Sequence, residues 1–200
     1  FERLGGMTLL ILGFILIYKI GEAMLGRMSG VFYRDLGFNH ADIANVAKLY
    51  GVTALIIGGI SGGVLASRMG LLKALLISGI LMAATNLSYA WLAVAGNDFP
   101  VFVFAVVSDH LTAGMATTTF VAYLSSLCNS AYSATQYALL ASAGNFARIM
   151  YASASGFIIS ALGGSWSVFF MATAAAGIPG LLLLLSAHNT CHSFDLNHKY

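Results

Sequence analysis

Residues 74–97 read ALLISGILMAATNLSYAWLAVAGN, a stretch without Asp, Glu, Lys or Arg. A transmembrane helix needs about 20 mostly apolar residues, and this stretch supplies them. Three further stretches, 49–67, 110–147 and 149–194, lack the same four residue types. The strands of a membrane barrel alternate polar and apolar residues, whereas the run 71–82 does not. We therefore predict an all-α membrane protein that crosses the bilayer several times.

The composition excludes the main soluble classes of protein. Of 200 residues, 59% are hydrophobic and 8% are charged, with a formal net charge of +2. Soluble domains have about 25% charged residues, and so few charges cannot cover the surface of a globule in water. A soluble enzyme, a disordered chain and a nucleic-acid-binding protein are therefore excluded. The two cysteines, Cys128 and Cys191, form neither a disulfide framework nor a zinc motif.

Turn signals divide the chain into six predicted spans. The first ends before Arg34–Gly37, and the second follows a helix cap at Asn39 or Asp42. Gly96–Pro100 separates the third span from the fourth, and Gly163–Ser165 the fifth from the sixth. The predicted spans are 7–30, 45–66, 71–94, 101–124, 136–162 and 166–187, within one transmembrane unit over 1–187 that is followed by a polar tail at 188–200. An even number of spans places both ends on one side, and the distribution of Lys and Arg favours the cytoplasmic side.

Small residues are concentrated in the second and fifth predicted spans. Gly58 and Gly62 are spaced four apart, as are Gly59 and Gly63. This spacing lets helix backbones approach closely inside a membrane. The pattern predicts tight helix packing, with hinging during a conformational cycle as the alternative.

Four charged residues lie near the middle of predicted spans: Lys19, Glu22, Asp109 and Arg148. A charge at the bilayer centre costs about 2.5–3.5 kcal/mol on insertion scales, so such residues mark ion pairs or water-filled pathways. Lys19 and Glu22 share a helix face. They either neutralise each other or face a cavity, where they contact a substrate or exchange protons. Asp109 has no partner on its own helix, and Arg148 needs an anion from Asp109, Glu22 or a substrate carboxylate.

The remaining polar residues receive structural interpretations. His110 is predicted to pack against neighbouring helices, and Arg27 to reach the lipid headgroups. The tail holds residue types that ligate metals, but we predict a solvated tail and no metal or cofactor. The residues concerned are His188, Cys191, His192 and His198.

The mid-membrane charges also indicate a repeat. The first helix of residues 1–97 carries Lys19 and Glu22, and the first helix of residues 98–187 carries Asp109. Transporters of the major facilitator type are built from such inverted three-helix units, with sites near the midplane.

The loop after the second span, GVLASRMGLLK at 63–73, resembles the cytoplasmic loop signature of major facilitator transporters. The resemblance implies a gating loop on the cytoplasmic side. Ser67 replaces the usual Asp of the signature, which affects the gating contact and not the fold. The matching residues that we assign to this loop are Gly63, Arg68, Gly70 and Lys73.

A more specific resemblance covers residues 15–185. The blocks are YKIGE at 18–22, RDLGF at 34–38, DHLTAGM at 109–115, FVAYL at 120–124, LCN at 127–129 and ATQYALL at 134–140. Together they resemble the C-terminal half of AmpG-type permeases, a group within the major facilitator superfamily. Asp109 and His110 stand where that family usually has Glu and Asn.

The resemblance implies a proton-coupled transporter that imports anhydromuropeptides across the bacterial inner membrane by alternating access. It also implies a role in peptidoglycan recycling. The fold needs two six-helix halves and one is present, so the chain is either the C-terminal part of a longer protein or works as a dimer. The absence of an initial Met favours the first.

Site residues follow from this function and from the chemistry of the substrate, which carries sugars and carboxylates. We assign substrate binding to Lys19, Arg148, Asn145 and Tyr123, because cations bind carboxylates and neutral polar groups bind hydroxyls. The proton-coupling carboxylate is Glu22 or Asp109.

Three alternatives remain open at this stage. The chain could transport another solute, such as a drug or an acetyl-coenzyme A-like compound. It could be a membrane module without transport activity. An intramembrane enzyme is disfavoured, because the sequence has neither an H-E-x-x-H motif nor paired catalytic aspartates.

Overall fold

The computed structural model describes residues 13–128 and 133–197, with side chains described for 13–128 and 134–184. Within these ranges all regular secondary structure is helical, which confirms the predicted all-α membrane fold. A short helical segment at 13–17 precedes the first complete helix. We number the helices α1 (Ile20–Asp35), α2 (His40–Met69), α3 (Leu71–Ala95), α4 (Phe99–Leu127), α5 (Ser133–Ala161) and α6 (Trp166–Asn197).

Four helices in the described ranges are long and apolar enough to cross a membrane. They are α2, α3, α4 and the Trp166–Leu184 part of α6. In contrast, α1 has 16 residues and carries charges at both ends, and α5 contains Arg148 among serines and amides. The first and fifth of the six predicted spans therefore stay predictions. The last helix continues to Asn197, beyond the predicted end at residue 187.

Local side-chain chemistry determines where the helices begin and end. Asn39 Oδ1 accepts the N–H of Ala41 at 3.5 Å and caps α2, so Asn39 is the residue used of the two predicted caps. Asp98 Oδ1 caps α4 in the same way, accepting the N–H of Val101 at 3.2 Å. Gly70 has a φ of +86° between α2 and α3, a conformation that glycine adopts without strain.

The helix contacts follow the pattern expected of two three-helix repeats. The five most extensive pairs are α2 with α4, α1 with α5, α3 with α4, α1 with α6, and α3 with α6, and α2 also contacts α3. Exchanging α1 with α4, α2 with α5 and α3 with α6 maps the set of five pairs onto itself. The symmetry of the contacts supports the repeat that the mid-membrane charges indicate.

Two aromatic clusters fill the core, one toward each end of the bundle. The first-end cluster includes Phe32, Tyr89 and Phe102, close to the connections at 36–39, 96–98 and 162–165. The second-end cluster includes Tyr18 and Phe120, toward Gly70 and the connection after α4. Stacked and edge-on rings in both clusters hold the helices together without relying on exclusion of water.

The first end is also fastened by two long-range hydrogen bonds. Asn97 Nδ2 donates to the carbonyl of Gly37 at 3.3 Å and joins two connections. Trp166 Nε1 donates to Asp35 Oδ2 at 3.2 Å and joins α6 to the end of α1. These bonds hold the connection after α1, the connection after α3 and the start of α6 in place relative to one another.

The closest helix contact is between the backbones of α2 and α4. A Cβ at Gly58 would overlap the carbonyl oxygen of Leu111, and a Cβ at Gly62 would lie 2.8 Å from the carbonyl oxygen of Met115. On the opposite helix, a Cβ at Gly114 would overlap the carbonyl of Leu55. The prediction of tight packing by the small-xxx-small pattern is confirmed at Gly58 and Gly62.

We expect Gly58→Ala to destabilise the protein by about 1–3 kcal/mol or more, because the methyl group meets backbone that cannot rotate away. The measurement is the midpoint of thermal unfolding in detergent. Gly63→Ala is the matched control on the same helix, since its Cβ would lie at an ordinary 3.9 Å from Thr118 Cγ2. Equal midpoints for the two variants would contradict the backbone contact.

Candidate functional site

The first helical segment is broken where its charges occur. Residues 13–17 are helical, Tyr18 and Lys19 form a turn, and α1 begins at Ile20. A Cβ at Gly21 would lie 3.0 Å from the carbonyl oxygen of Thr173, and one at Gly180 would lie 3.2 Å from Tyr18 Cα. The break is therefore packed tightly against α6. Discontinuous helices of this kind expose polar groups at the midplane of transport proteins.

Lys19 and Glu22 form an ion pair directly after this break. Lys19 Nζ lies 3.0 Å from Glu22 Oε2 and donates to Oε1 at 3.4 Å. It also donates to Thr117 Oγ1 at 2.9 Å, which joins α1 to α4. The two charged side chains keep 17% and 23% of their surface exposed. The pair therefore neutralises itself and still faces open space, so both predicted readings describe part of its environment.

Asp109 lies at the end of a chain of hydroxyl groups. Tyr89 donates its hydroxyl to Asp109 Oδ2 at 3.4 Å, and the hydroxyls of Tyr89 and Tyr33 are 2.9 Å apart. Glu22 interacts electrostatically with Asp109, so the two candidate carboxylates influence each other across α1 and α4. Reasoning from the sequence missed the two tyrosines, because their contact depends on the packing of α1 against α3.

His110 packs against α2, as predicted, and its ring is also held by its own helix. Its Nδ1–H donates to the carbonyl of Val106 at 2.9 Å, which leaves Nδ1 4.0 Å from the Asp109 carboxylate. The ring packs against Gly51, where a Cβ would lie 3.1 Å from Nε2. Gly51 ends a π-helical turn, Val46–Gly51, within α2.

A cavity of about 790 Å³ opens between α1 and α5. Glu22, Arg27 and Arg148 supply its charges, and Ser153 lines it with small and apolar residues. Arg27 lines this cavity, and its contact with the lipid headgroups stays a prediction. The signal for Arg27 was available in the sequence, because residues 22, 23, 26 and 27 fall on one face of a helix.

Arg148 is exposed at this cavity. Its Nε donates to Asn145 Oδ1 at 3.4 Å, so Asn145 orients the guanidinium. Within the described residues, neither Glu22 nor Asp109 comes within 4.0 Å of Arg148. A guanidinium keeps its charge, and this one faces open space without a carboxylate partner in that part of the chain.

The other predicted site residues lie elsewhere. Tyr123 is 7% exposed in the second-end cluster, where its ring meets that of Phe14 edge-on at 5.6 Å, and it does not line the cavity. Gly63 faces Thr118 on α4. Arg68 and Lys73 are exposed on either side of the Gly70 turn.

No group of three or more His, Cys, Asp or Glu residues could hold a metal ion in the part of the chain that the structure describes. Cys128 is a free cysteine there. The side chains of His188, Cys191, His192 and His198 lie outside the described residues.

The class of protein follows from this bundle and from comparison with known families. The family model described as Major Facilitator Superfamily matches residues 6–195. The chain therefore belongs to the Major Facilitator Superfamily.

Within that family the chain is similar to AmpG-type permeases, as the sequence blocks predicted. It is 37% identical to the "Anhydromuropeptide permease" of Escherichia coli (strain K12) over 192 residues, which are 96% of this chain and 39% of the relative. It is 36% identical to the "Putative transporter AmpG 4" of Rickettsia conorii over 185 residues, which are 92% of this chain and 44% of the relative. The chain thus spans less than half the length of the curated relatives it matches. These names point to transport and not to the catalysis of a reaction.

The hydrogen bond between the hydroxyls of Tyr33 and Tyr89 contributes a measurable part of the free energy of unfolding. We expect Tyr33→Phe and Tyr89→Phe to be non-additive by about 0.5–1.5 kcal/mol, because either change removes the same hydrogen bond. The measurement is thermal unfolding in detergent of both single variants and the double variant. Tyr151→Phe, which packs against the same cluster, serves as a control that adds independently. Full additivity of the two changes would contradict the bond.

Proposed function

We propose that the chain is part of a proton-coupled transporter that imports anhydromuropeptides by alternating access. The observation that carries this proposal is the cavity between α1 and α5, which is lined by both the exposed Arg148 and the ion-paired Glu22. Similarity to a permease named for anhydromuropeptides supports the substrate class. A cavity of about 790 Å³ falls in the size range of small-molecule sites.

The cations of the cavity bind the acidic part of the substrate. Arg148 offers a planar fork of donors that matches a carboxylate, and Asn145 holds this fork in place while offering its own amide to sugar hydroxyls. Arg27 adds a second cation to the cavity lining. Tyr123 acts only if helix movement brings it out of the second-end cluster, which is where it lies in this conformation.

Coupling arises from competition for Lys19. In the conformation described, the Glu22 carboxylate binds the Lys19 ammonium at 3.0 Å. A proton delivered to Glu22 removes its negative charge, and Lys19 is then available for a carboxylate of the substrate. Asp109 responds to the same event, because Glu22 and Asp109 repel each other when both are ionised.

The remaining parts of the proposal concern the whole transporter. An N-terminal six-helix half completes the fold, which agrees with the share of the relatives that this chain covers. The protein lies in the bacterial inner membrane with the ends of this segment in the cytoplasm. The Gly63–Lys73 segment then lies on the cytoplasmic side and gates the cavity.

Glu22→Gln and Asp109→Asn test the coupling. With the full product of the coding region reconstituted in liposomes, we expect each variant to lose accumulation of labelled anhydromuropeptide above equilibrium under a proton gradient. Exchange of substrate across the membrane without a gradient should persist, because it needs no net proton movement. Asp42→Asn, at an exposed carboxylate on α2, is the matched control. Wild-type accumulation by both variants would overturn the coupling role.

Substitutions of Arg148 test the substrate site. We expect Arg148→Gln to raise KM for uptake about 3- to 10-fold, the range for a partly exposed charge-assisted hydrogen bond, and Arg148→Lys to recover part of the loss. Unlabelled acetyl-coenzyme A serves as a competitor in the same assay. Competition by acetyl-coenzyme A but not by anhydromuropeptide would favour a transporter of another solute.

A further inference from the structure

A second, strongly basic cavity lies between α1 and α2. It has a volume of about 670 Å³, and its charged or titratable lining residues are Arg27, Arg34, His40 and Lys48. The rest of the lining is small or apolar. We call this cavity the basic groove. It opens toward the first end of the bundle, beside the connection from α1 to α2.

The groove follows from the register of the two helices. Arg27 and Arg34 are seven residues apart on α1 and therefore share a face. On α2, His40, Ala44 and Lys48 follow one another at intervals of four and line the groove together. Lys48 belongs to the π-helical turn Val46–Gly51. Such turns are rare in helices and are frequent at functional sites.

The cations of the groove have no carboxylate beside them in the lining. Asp35 and Asp42 are near in sequence, but neither lines the groove, and Asp35 accepts the indole N–H of Trp166. Arg34 donates to the carbonyl of Gly30 at 3.1 Å, which positions its guanidinium along α1. Of the described residues, none forms an ion pair with these cations within 4.0 Å. Their positive charges therefore add within the groove.

Arg27 and Met28 line both the basic groove and the cavity that contains Arg148. The two spaces are thus adjacent, and Arg27 stands at their junction. An anion in the groove therefore lies beside the same two residues of α1, Arg27 and Met28, that line the cavity containing Arg148.

We propose that the basic groove is an anion-binding entry site, which binds a carboxylate of the substrate before that carboxylate reaches Arg148. The proposal rests on the proposed function for its substrate. A lipid phosphate has the same charge and hydrogen-bonding chemistry. The substrate is the occupant we assign, because the groove and the cavity that contains Arg148 share Arg27 and Met28 in their linings.

Transport kinetics test the site. With the full product of the coding region in liposomes, we expect Lys48→Gln to raise KM for labelled anhydromuropeptide about 3- to 10-fold with kcat unchanged. Lys48→Arg keeps the charge and should restore KM. Uptake of an analogue whose carboxylates are amidated should be the same in wild type and Lys48→Gln. An unchanged KM for the acidic substrate would overturn the entry site while leaving the proposed function in place.

Vesicle composition separates the two sources of anion. We expect the same rise in KM in vesicles of phosphatidylcholine alone and in vesicles that contain phosphatidylglycerol. A rise confined to the phosphatidylglycerol vesicles would assign the groove to lipid headgroups and overturn the proposal.

A chemical measurement tests the groove without transport. Ala44→Cys, in a background whose native cysteines are serine, places a thiol in the groove. We expect an anionic methanethiosulfonate reagent to label it faster than a cationic one, and Lys48→Gln to remove this preference. Anhydromuropeptide should slow the labelling, and its amidated analogue should not. If the anionic reagent has no advantage, or the acidic substrate gives no protection, the groove does not bind anions, whatever the transport assay shows.

Discussion

The ion pair between Lys19 and Glu22 is the interaction on which the middle of the bundle depends. A charge in an apolar medium needs a partner or water. Here Lys19 and Glu22 are each other's partner, and Lys19 also donates a hydrogen bond to Thr117 on α4. The pair lies directly after the turn at Tyr18 and Lys19, so the loss of regular helix and the placement of charge occur together. The two aromatic clusters lie on either side of this level and leave the polar groups between them.

This arrangement divides the charges into two kinds. Glu22 is satisfied within the bundle and has an electrostatic neighbour in Asp109. Arg148 and Arg27 instead face the cavity, and the only described partner of the Arg148 side chain is the neutral amide of Asn145. A net positive cavity beside a neutralised pair suits an acidic solute, because the solute supplies the missing negative charge.

The sequence predicted the connections between helices better than the side-chain contacts across them. Asn39, Asp98 and Gly70 act within three residues of themselves, so their effect can be read from neighbours in the chain. The Lys19–Glu22 pair was predictable for the same reason, since three residues along a helix fix the distance.

Contacts between polar side chains of different helices carry no such local signature. Tyr89 meets Asp109, and Tyr33 meets Tyr89, only because α3 packs against both α1 and α4. Tyr123 was assigned to the substrate site from its chemistry, but chemistry alone does not fix the direction in which a side chain points. Arg27 lines the cavity because it shares a helix face with Ala23 and Gly26, which its position near the end of the predicted span did not indicate.

The glycine contact between α2 and α4 has a mechanical consequence. Where backbone meets backbone, as at Gly58 and Leu111, there are no long side chains whose rotamers could absorb a sliding motion. We therefore expect the two helices to move together. Lys48 lies on one of them and Asp109 on the other, so a movement of the groove would also move this carboxylate.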